Sequence, residues 1–186
     1  MENIIILEDF VDLEYSTFLE NLLMGADFPV YMNSVTVQPY KLGTFKDKNT
    51  IEGIQFVHTF VNYGDHNNPY LQHVLPIHLK LCGHLKKDYN LFRCKINVNV
   101  PYPGFDGTQY YTPHMDLPES HTITAIYYIN DSDGDTIFFD ENHNIIQRIT
   151  PKKGTLVYFR SNMYHAGQPP NISKVRGVLN FNLIPV

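Results

Sequence analysis

Short apolar segments separated by polar turns make up most of the second half of the chain. Residues 92–100 alternate between apolar side chains and the polar ones of Arg93, Lys95, Asn97 and Asn99, which is the period of a strand with two unlike faces. Five further strands are predicted at Thr122–Ile129, Asp135–Phe139, Asn144–Ile149, Thr155–Phe159 and Val175–Leu183. Short strands bounded by Asp, Gly, Asn or Pro at this rhythm are typical of a β-sandwich or barrel.

The first half predicts helices as well as strands. Apolar residues recur at helical spacing over Leu13–Met24, and a second helix is predicted over Tyr70–Asp88 with an interruption or kink near Pro76. A short strand is predicted at Ile4–Glu8, and residues 35–63 are mostly extended. We expect the two helices to brace a sheet.

Length and composition narrow the class of protein. A chain of 186 residues, 43% apolar and 18% charged, is predicted to be one globular domain over residues 1–186. Two cysteines and an N-terminus without the pattern of a signal peptide favour a cytoplasmic location. The net charge of -5 argues against a nucleic-acid partner. No membrane partner is expected, and a monomer is favoured, although the sequence leaves the oligomeric state open.

His114-Met115-Asp116, followed by His165 and Arg176, is the candidate chemistry of the chain. With 9 His and 19 acidic residues in 186 positions, about one His-x-Asp/Glu triplet is expected by chance, so the triplet alone decides nothing. Residues i and i+2 of an extended segment point to the same side and can share a metal. Two imidazoles and one carboxylate suit non-haem Fe(II), and an arginine offers a fork for a carboxylate.

Several segments in this order carry a resemblance. Tyr102-Pro103-Gly104 with residues 107–116, the Ala125–Asn130 strand, the Asp133–Phe139 strand and then His165 and Arg176 resemble the core of the 2-oxoglutarate- and Fe(II)-dependent dioxygenases. Within that superfamily the likeness is to the prolyl hydroxylases. It covers a little under half the chain. Two departures stand out: the chain has no Trp, and its interval from His165 to Arg176 is slightly longer than in the oxygen-sensing animal enzymes.

This resemblance implies a fold and a set of ligands. The fold would be a double-stranded β-helix, a jelly-roll barrel over residues 92–186, with residues 1–91 as a supporting part that includes the helices. His114, Asp116 and His165 would bind Fe(II). Arg176 would bind the distal carboxylate of the co-substrate 2-oxoglutarate, with Tyr128 as a phenol donor. Tyr102 is a further candidate for the co-substrate site, with Tyr111, Asn97 and Asn180 as possible lining residues. O2 is the second co-substrate, and ascorbate is an optional addition.

Three functions remain open on the sequence. The leading one is hydroxylation of a prolyl residue in a protein or peptide, with decarboxylation of 2-oxoglutarate to succinate and CO2. The second is the same chemistry on a free amino acid, another small molecule or a nucleobase; nucleobase demethylases commonly carry another arginine soon after the co-substrate arginine, and none follows Arg176. The third is a non-catalytic, metal-binding cupin-like module. The loop Tyr102–Pro113 is a candidate lid, because Gly104 and Gly107 permit hinge motion.

Overall fold

The computed structural model describes residues 4–37 and 43–186. Within them the chain forms two α-helices, α1 (Leu13–Leu23) and α2 (Leu75–Leu85), and a short 3-10 helix at Leu71–His73. The same residues form twelve strands: β1 (Ile5–Leu7), β2 (Tyr31–Asn33), β3 (Thr50–Ile51), β4 (Gln55–Val61), β5 (Tyr89–Asn99), β6 (Tyr110–Tyr111), β7 (Ile123–Tyr128), β8 (Thr136–Phe139), β9 (Ile145–Ile149), β10 (Leu156–Arg160), β11 (His165–Gly167) and β12 (Arg176–Pro185).

Two antiparallel sheets dominate the architecture. The larger has the order β1-β10-β7-β12-β5-β4-β2, and the smaller has the order β11-β8-β9. A short parallel pair, β3 with β6, accompanies them. The order crosses the chain many times, so neighbouring strands come from distant parts of the sequence, as in a jelly roll. The prediction of a mainly β chain with flanking helices is confirmed.

The central strands of the larger sheet bury different chemistry on their two faces. On β12, Leu179, Phe181 and Leu183 belong to the apolar core that also contains residues of α1 and α2. The intervening Asn180 and Asn182 are buried on the opposite face. This alternation follows from the period of two along a strand. One face of the sheet therefore packs on the helices, and the other carries polar groups into the interior.

A second apolar core lies between the two sheets. It contains Ile126 and Tyr128 from the larger sheet and Phe138 from the smaller one, with Met163 at one end. Close packing of such side chains excludes water and fixes the separation of the sheets. The polar face of the larger sheet is thereby enclosed beside a dry core.

The structure details or corrects three of the predicted elements. The helix predicted over Tyr70–Asp88 with an interruption or kink near Pro76 is interrupted: a 3-10 helix at Leu71–His73 precedes α2, and Pro76 lies in the first turn of α2, where a missing N–H costs nothing. The extended prediction for residues 35–63 holds for β4, whereas residues 36 and 37 form bends and 38–42 fall outside the described residues. On β5 a register shift places Leu91 in the core instead of Phe92.

Neither helix of the described chain has the length and apolar character needed to cross a bilayer.

Candidate active site

The three predicted metal ligands converge. His114 follows β6 and His165 begins β11, and their backbones exchange two hydrogen bonds of 3.0 Å. This pairing sets the imidazole rings side by side with centroids 4.6 Å apart. Asp116 lies two residues beyond His114, on the same side, so that one ligand atom from each of the three residues lies within 4.8 Å of the others. The group has the donor set that could hold a metal ion.

Backbone carbonyls orient both imidazoles. Nδ1 of His114 lies 3.1 Å from the Thr112 oxygen, and Nδ1 of His165 lies 3.1 Å from the Met163 oxygen. A carbonyl can only accept, so each Nδ1 carries the proton and each Nε2 presents its lone pair. These Nε2 atoms lie 3.9 Å and 3.6 Å from the Asp116 carboxylate oxygens. The tautomers therefore suit metal binding through Nε2.

Asp116 is held by several donors. The Arg93 guanidinium donates to Oδ1 at 2.7 Å, and Thr124 and Asn180 donate to Oδ2 at 3.1 Å and 3.0 Å. Arg93 is itself fixed by a 2.6 Å hydrogen bond from Nε to Asn182. Charge-assisted hydrogen bonds of this kind stabilise the ionised carboxylate. Alternation on β5 and β12 places Arg93, Asn180 and Asn182 on the polar face, but their partners could not be read from the sequence.

A cavity of about 140 Å³ extends from the triad. The cavity is lined by the three predicted metal ligands, by Arg176 and by the three candidates without an assigned role: His114, Asp116, His165, Arg176, Tyr111, Asn97 and Asn180. Among the described residues that line it, neither Tyr128 nor Tyr102 is present. Thr136, which the sequence reasoning missed, is present.

The Arg176 guanidinium is buried on the cavity wall, with the residue only 4% exposed. Its Nε donates to the Gly134 carbonyl and its Nη2 donates to Thr136 Oγ1, both at 2.7 Å. A cation this deeply buried normally has a carboxylate partner. Within the described part of the chain, however, Arg176 forms no salt bridge.

Tyr128 acts on this end of the cavity through Thr136. The Tyr128 hydroxyl donates to Thr136 Oγ1 at 2.8 Å, and the Arg176 Nη2 donates to the same oxygen. A hydroxyl accepts two hydrogen bonds and donates one. Both acceptor positions of Thr136 are therefore filled, and the hydroxyl of this cavity-lining residue keeps its own proton for donation. Tyr128 orients this donor instead of reaching the cavity itself.

Burial keeps the charges at this end of the cavity well defined. Burial raises the pKa of Tyr128 to about 12, although the Arg176 charge and the Thr136 hydrogen bond oppose the shift. Burial also raises the pKa of Tyr111 to about 12. The pKa of Arg176 is lowered by burial, with Tyr128 and Tyr111 opposing that shift, but arginine starts so high that it stays protonated. Near neutral pH this end therefore carries neutral phenols and one positive charge.

Glycines make room for the guanidinium. A Cβ at Gly134 would lie 2.7 Å from the Gln168 carbonyl oxygen and 3.0 Å from Arg176 Cδ. A Cβ at Gly167 would lie 3.4 Å from Arg176 Nη1. Both approaches are tighter than or at the limit of ordinary packing. The cavity wall is thus shaped closely around Arg176.

Polar atoms without partners are concentrated around this cavity. Within residues 4–37 and 43–186, four residues that line it have a buried side-chain N or O atom with no hydrogen-bond partner: Thr36, Asn97, Asn99 and Asn180. An unpaired buried polar atom costs roughly 1–3 kcal/mol. A bound polar ligand would offset that cost, so the cavity and the triad together fit a metal ion with a polar co-substrate.

Comparison with known proteins finds a family model that matches the segment carrying this site. Residues 100–184 match the model of the 2OG-Fe(II) oxygenase superfamily, a segment that contains the triad and Arg176. The resemblance to this superfamily is confirmed. No curated protein is similar to the chain in sequence at a significant level.

Solved structures of the superfamily share the fold. An oxidoreductase of the 2OG-Fe(II) oxygenase family from Burkholderia pseudomallei is 13% identical, with a TM-score of 0.69 over 97% of this chain and 84% of that one. A prolyl hydroxylase from Trichoplax adhaerens, in complex with a hypoxia inducible factor peptide, is 16% identical, with a TM-score of 0.65 over 100% and 84%.

A viral collagen prolyl hydroxylase from Paramecium Bursaria Chlorella virus-1 is 17% identical, with a TM-score of 0.57 over 98% of this chain and 96% of that one. At these identities the likeness establishes the fold, which confirms the double-stranded β-helix. An epimerase and a carbocyclase from nogalamycin biosynthesis, both dependent on alpha ketoglutarate, share the fold as well.

Proposed function

We propose that this protein is a 2-oxoglutarate- and Fe(II)-dependent dioxygenase that hydroxylates a prolyl residue in a protein or peptide. The observation that carries the oxygenase proposal is the buried Arg176, which has no carboxylate partner among the described residues and shares a cavity with the His-Asp-His triad. A dicarboxylate that reaches from the triad to Arg176 can bind a metal at the triad with one end and pair with the Arg176 guanidinium at the other. 2-Oxoglutarate has this shape and charge.

The residues of the cavity divide the work. His114, Asp116 and His165 would hold the metal through three ligands on one side and leave the opposite side open. Fe(II) bound there supplies the activation of O2 that couples decarboxylation of 2-oxoglutarate to succinate and CO2 with C–H hydroxylation. Arg176 and the Thr136 proton bind the distal carboxylate and so fix the orientation of the co-substrate. Apolar side chains of Ile126 and Val178 on the cavity wall limit the access of water.

The position of Tyr102 narrows its proposed role. Tyr102 accepts a backbone hydrogen bond from Phe105 in the loop before His114, outside the residues that line the cavity. The Gln168 side chain donates to the Gly107 and Gln109 carbonyls at 3.3 Å and 2.8 Å, which ties this loop to the residue after β11. We therefore propose that Tyr102 contacts the co-substrate or the substrate only when the loop Tyr102–Pro113 closes. Ascorbate as an optional addition also stays a proposal.

A peptidyl substrate is supported by the fold and by the loop. Two of the solved structures described above are prolyl hydroxylases, and one of them holds a peptide. Tyr102, which is partly exposed in the loop before His114, suits contact with an extended chain. The epimerase and carbocyclase make a small-molecule substrate the second candidate, since the same fold serves several chemistries.

Anaerobic binding tests the oxygenase proposal before any substrate is known. Addition of Fe(II) and 2-oxoglutarate to the protein should give a weak visible charge-transfer band. Absence of this band would exclude the proposed oxygenase activity. His114→Ala should lose both the band and the release of succinate, because it removes one of the three ligands, while circular dichroism stays unchanged. Equal succinate release by this variant would refute the ligand assignment.

The substrate class needs a second measurement. Proline-containing peptides and free amino acids are incubated with the Fe(II)-loaded enzyme, 2-oxoglutarate and O2, and the products are examined by mass spectrometry for one added oxygen. Oxygen on a peptidyl proline would support the leading candidate. Oxygen only on a small molecule would support the second one.

A further inference from the structure

We infer that Asn99 is a further co-substrate residue, whose side-chain amide donates a hydrogen bond to the distal carboxylate bound by Arg176. The inference rests on the proposed function and adds a donor that neither the triad nor the arginine position predicts. It comes from the pairing of two strands and from one unpartnered atom.

The register of the sheet places Asn99 directly opposite Arg176. In the antiparallel pair of β5 and β12, the Cα partner of Arg176 is Asn99. Directly opposed residues share one face of the sheet, with their Cβ atoms roughly 4.5–5.5 Å apart. Both side chains line the cavity. A carboxylate at the Arg176 guanidinium therefore lies within reach of the Asn99 side chain.

The Asn99 amide has the donor that a carboxylate needs. Asn99 is only 2% exposed, and its Nδ2 has no hydrogen-bond partner among the described residues. An ionised carboxylate has about four acceptor sites on its two oxygens. Arg176, Thr136 and Asn99 can therefore donate to it together.

Equilibrium binding of 2-oxoglutarate tests this role without turnover. The Kd is measured from the anaerobic charge-transfer band of the Fe(II)-loaded protein. Asn99→Ala should raise the Kd roughly tenfold or more, which is the effect of one lost hydrogen bond to a charged group. Asn99→Asp keeps the size of the side chain but repels the distal carboxylate, and it should raise the Kd further.

Two comparisons separate a carboxylate contact from a structural role. 2-Oxopentanoate has the same carbon chain without the distal carboxylate, so Asn99→Ala should leave its Kd within about twofold. Asn90→Ala is the matched control, because Asn90 is an exposed asparagine of the same strand that lies opposite Ile184 and outside the residues that line the cavity. It should leave the Kd for 2-oxoglutarate unchanged.

Three outcomes would overturn the inference. The first is an unchanged Kd for 2-oxoglutarate in Asn99→Ala, and the second is an equal weakening of both oxo acids. In either case the unsubstituted protein still binds 2-oxoglutarate, so the proposed function stands. The third is a protein that does not bind 2-oxoglutarate at all, which removes the proposed function together with the role of Asn99. Asn99→Asp provides the second variant if Asn99→Ala does not fold.

Discussion

Two arginines line the same cavity, and they differ in whether a carboxylate pairs with them. Arg93 pairs with the Asp116 carboxylate at 2.7 Å, which neutralises its charge. Arg176, in contrast, forms no salt bridge within the residues that the structure describes, and it donates only to a carbonyl and a hydroxyl. Since the guanidinium stays charged, its field is directed into the cavity. One arginine therefore serves the metal ligand, and the other awaits an anion.

Removal of the Arg176 side chain should mainly weaken the binding of the co-substrate. Arg176→Ala deletes a charge-assisted carboxylate contact worth roughly 1.5–3 kcal/mol, so the Kd for 2-oxoglutarate should rise by about 10- to 150-fold. Anaerobic titration of the charge-transfer band measures this change. Arg176→Lys should lose less, because it keeps the charge but not the fork. An unchanged affinity in the alanine variant would contradict the assignment.

The sequence predicts the charged residues of the site better than their neutral partners. His114, Asp116, His165 and Arg176 are recognisable because few side chains can do their chemistry and because their order matches a known pattern. Thr136 and Asn99 have common side chains on strands, where each is ordinarily one polar residue among many. Their role depends on which strand lies opposite, and this pairing is set by tertiary contacts.

At the scale of elements, the connection from β11 to β12 determines where Arg176 lies relative to His165. One carboxylate, that of Asp133, binds the middle of this connection. Asp133 accepts backbone hydrogen bonds from Asn171, Ile172 and Ser173, the shortest at 2.7 Å from Ile172. The connection is therefore fixed to the segment before β8.

Asp133→Ala should free this connection and lower stability by roughly 1–2 kcal/mol, a modest value because the carboxylate is partly exposed. Burial raises the pKa of Asp133, but the three backbone N–H groups outweigh it and hold the pKa at about 2, against the ordinary 3.8. A lowered pKa stabilises the fold above the ordinary value, and that stabilisation is lost as the pH falls toward the folded pKa.

Urea unfolding of the two proteins at several pH values checks this prediction. The difference in unfolding free energy between the unsubstituted protein and Asp133→Ala should be full at pH above 3.8 and should shrink as the pH approaches 2, the folded pKa. Asp133→Asn keeps the shape of the side chain and one acceptor oxygen, so its unfolding free energy should lie between those of the unsubstituted protein and Asp133→Ala. A difference that does not vary with pH would show that the charge of Asp133 is not what holds the connection.

Element prediction succeeded where the apolar pattern was long enough to have a period. β4 lies within residues 35–63, which are predicted to be mostly extended, and β5 has the alternation expected for residues 92–100. Strands β3 and β6 have two residues each, which is too short for any period to be read. β11 has three and is ordered by its pairing with β8. These short strands depend on tertiary contacts, and they flank the triad.

At the scale of the whole molecule, the site lies where separate parts of the fold meet. His165 belongs to the smaller sheet, Arg176 belongs to the larger sheet, and His114 follows the short parallel pair. The cavity between them gathers buried polar atoms that lack partners in the described part of the chain. Unfolding separates all of these groups, so a metal and a co-substrate can bind the native chain but have no comparable site on the unfolded one.

Ligand binding should therefore raise the unfolding temperature. At 100-fold excess over Kd, a ligand of the native state adds about 2.7 kcal/mol, which for a chain of this size corresponds to roughly 5–10 °C. Thermal unfolding with Mn(II), a redox-stable substitute for Fe(II), and 2-oxoglutarate measures the shift. His114→Ala is the control, since His114 is partly exposed and its removal leaves Arg93 paired with Asp116. An equal shift in this variant, or an equal shift with 2-oxoglutarate alone, would show that binding does not depend on a metal held by the triad.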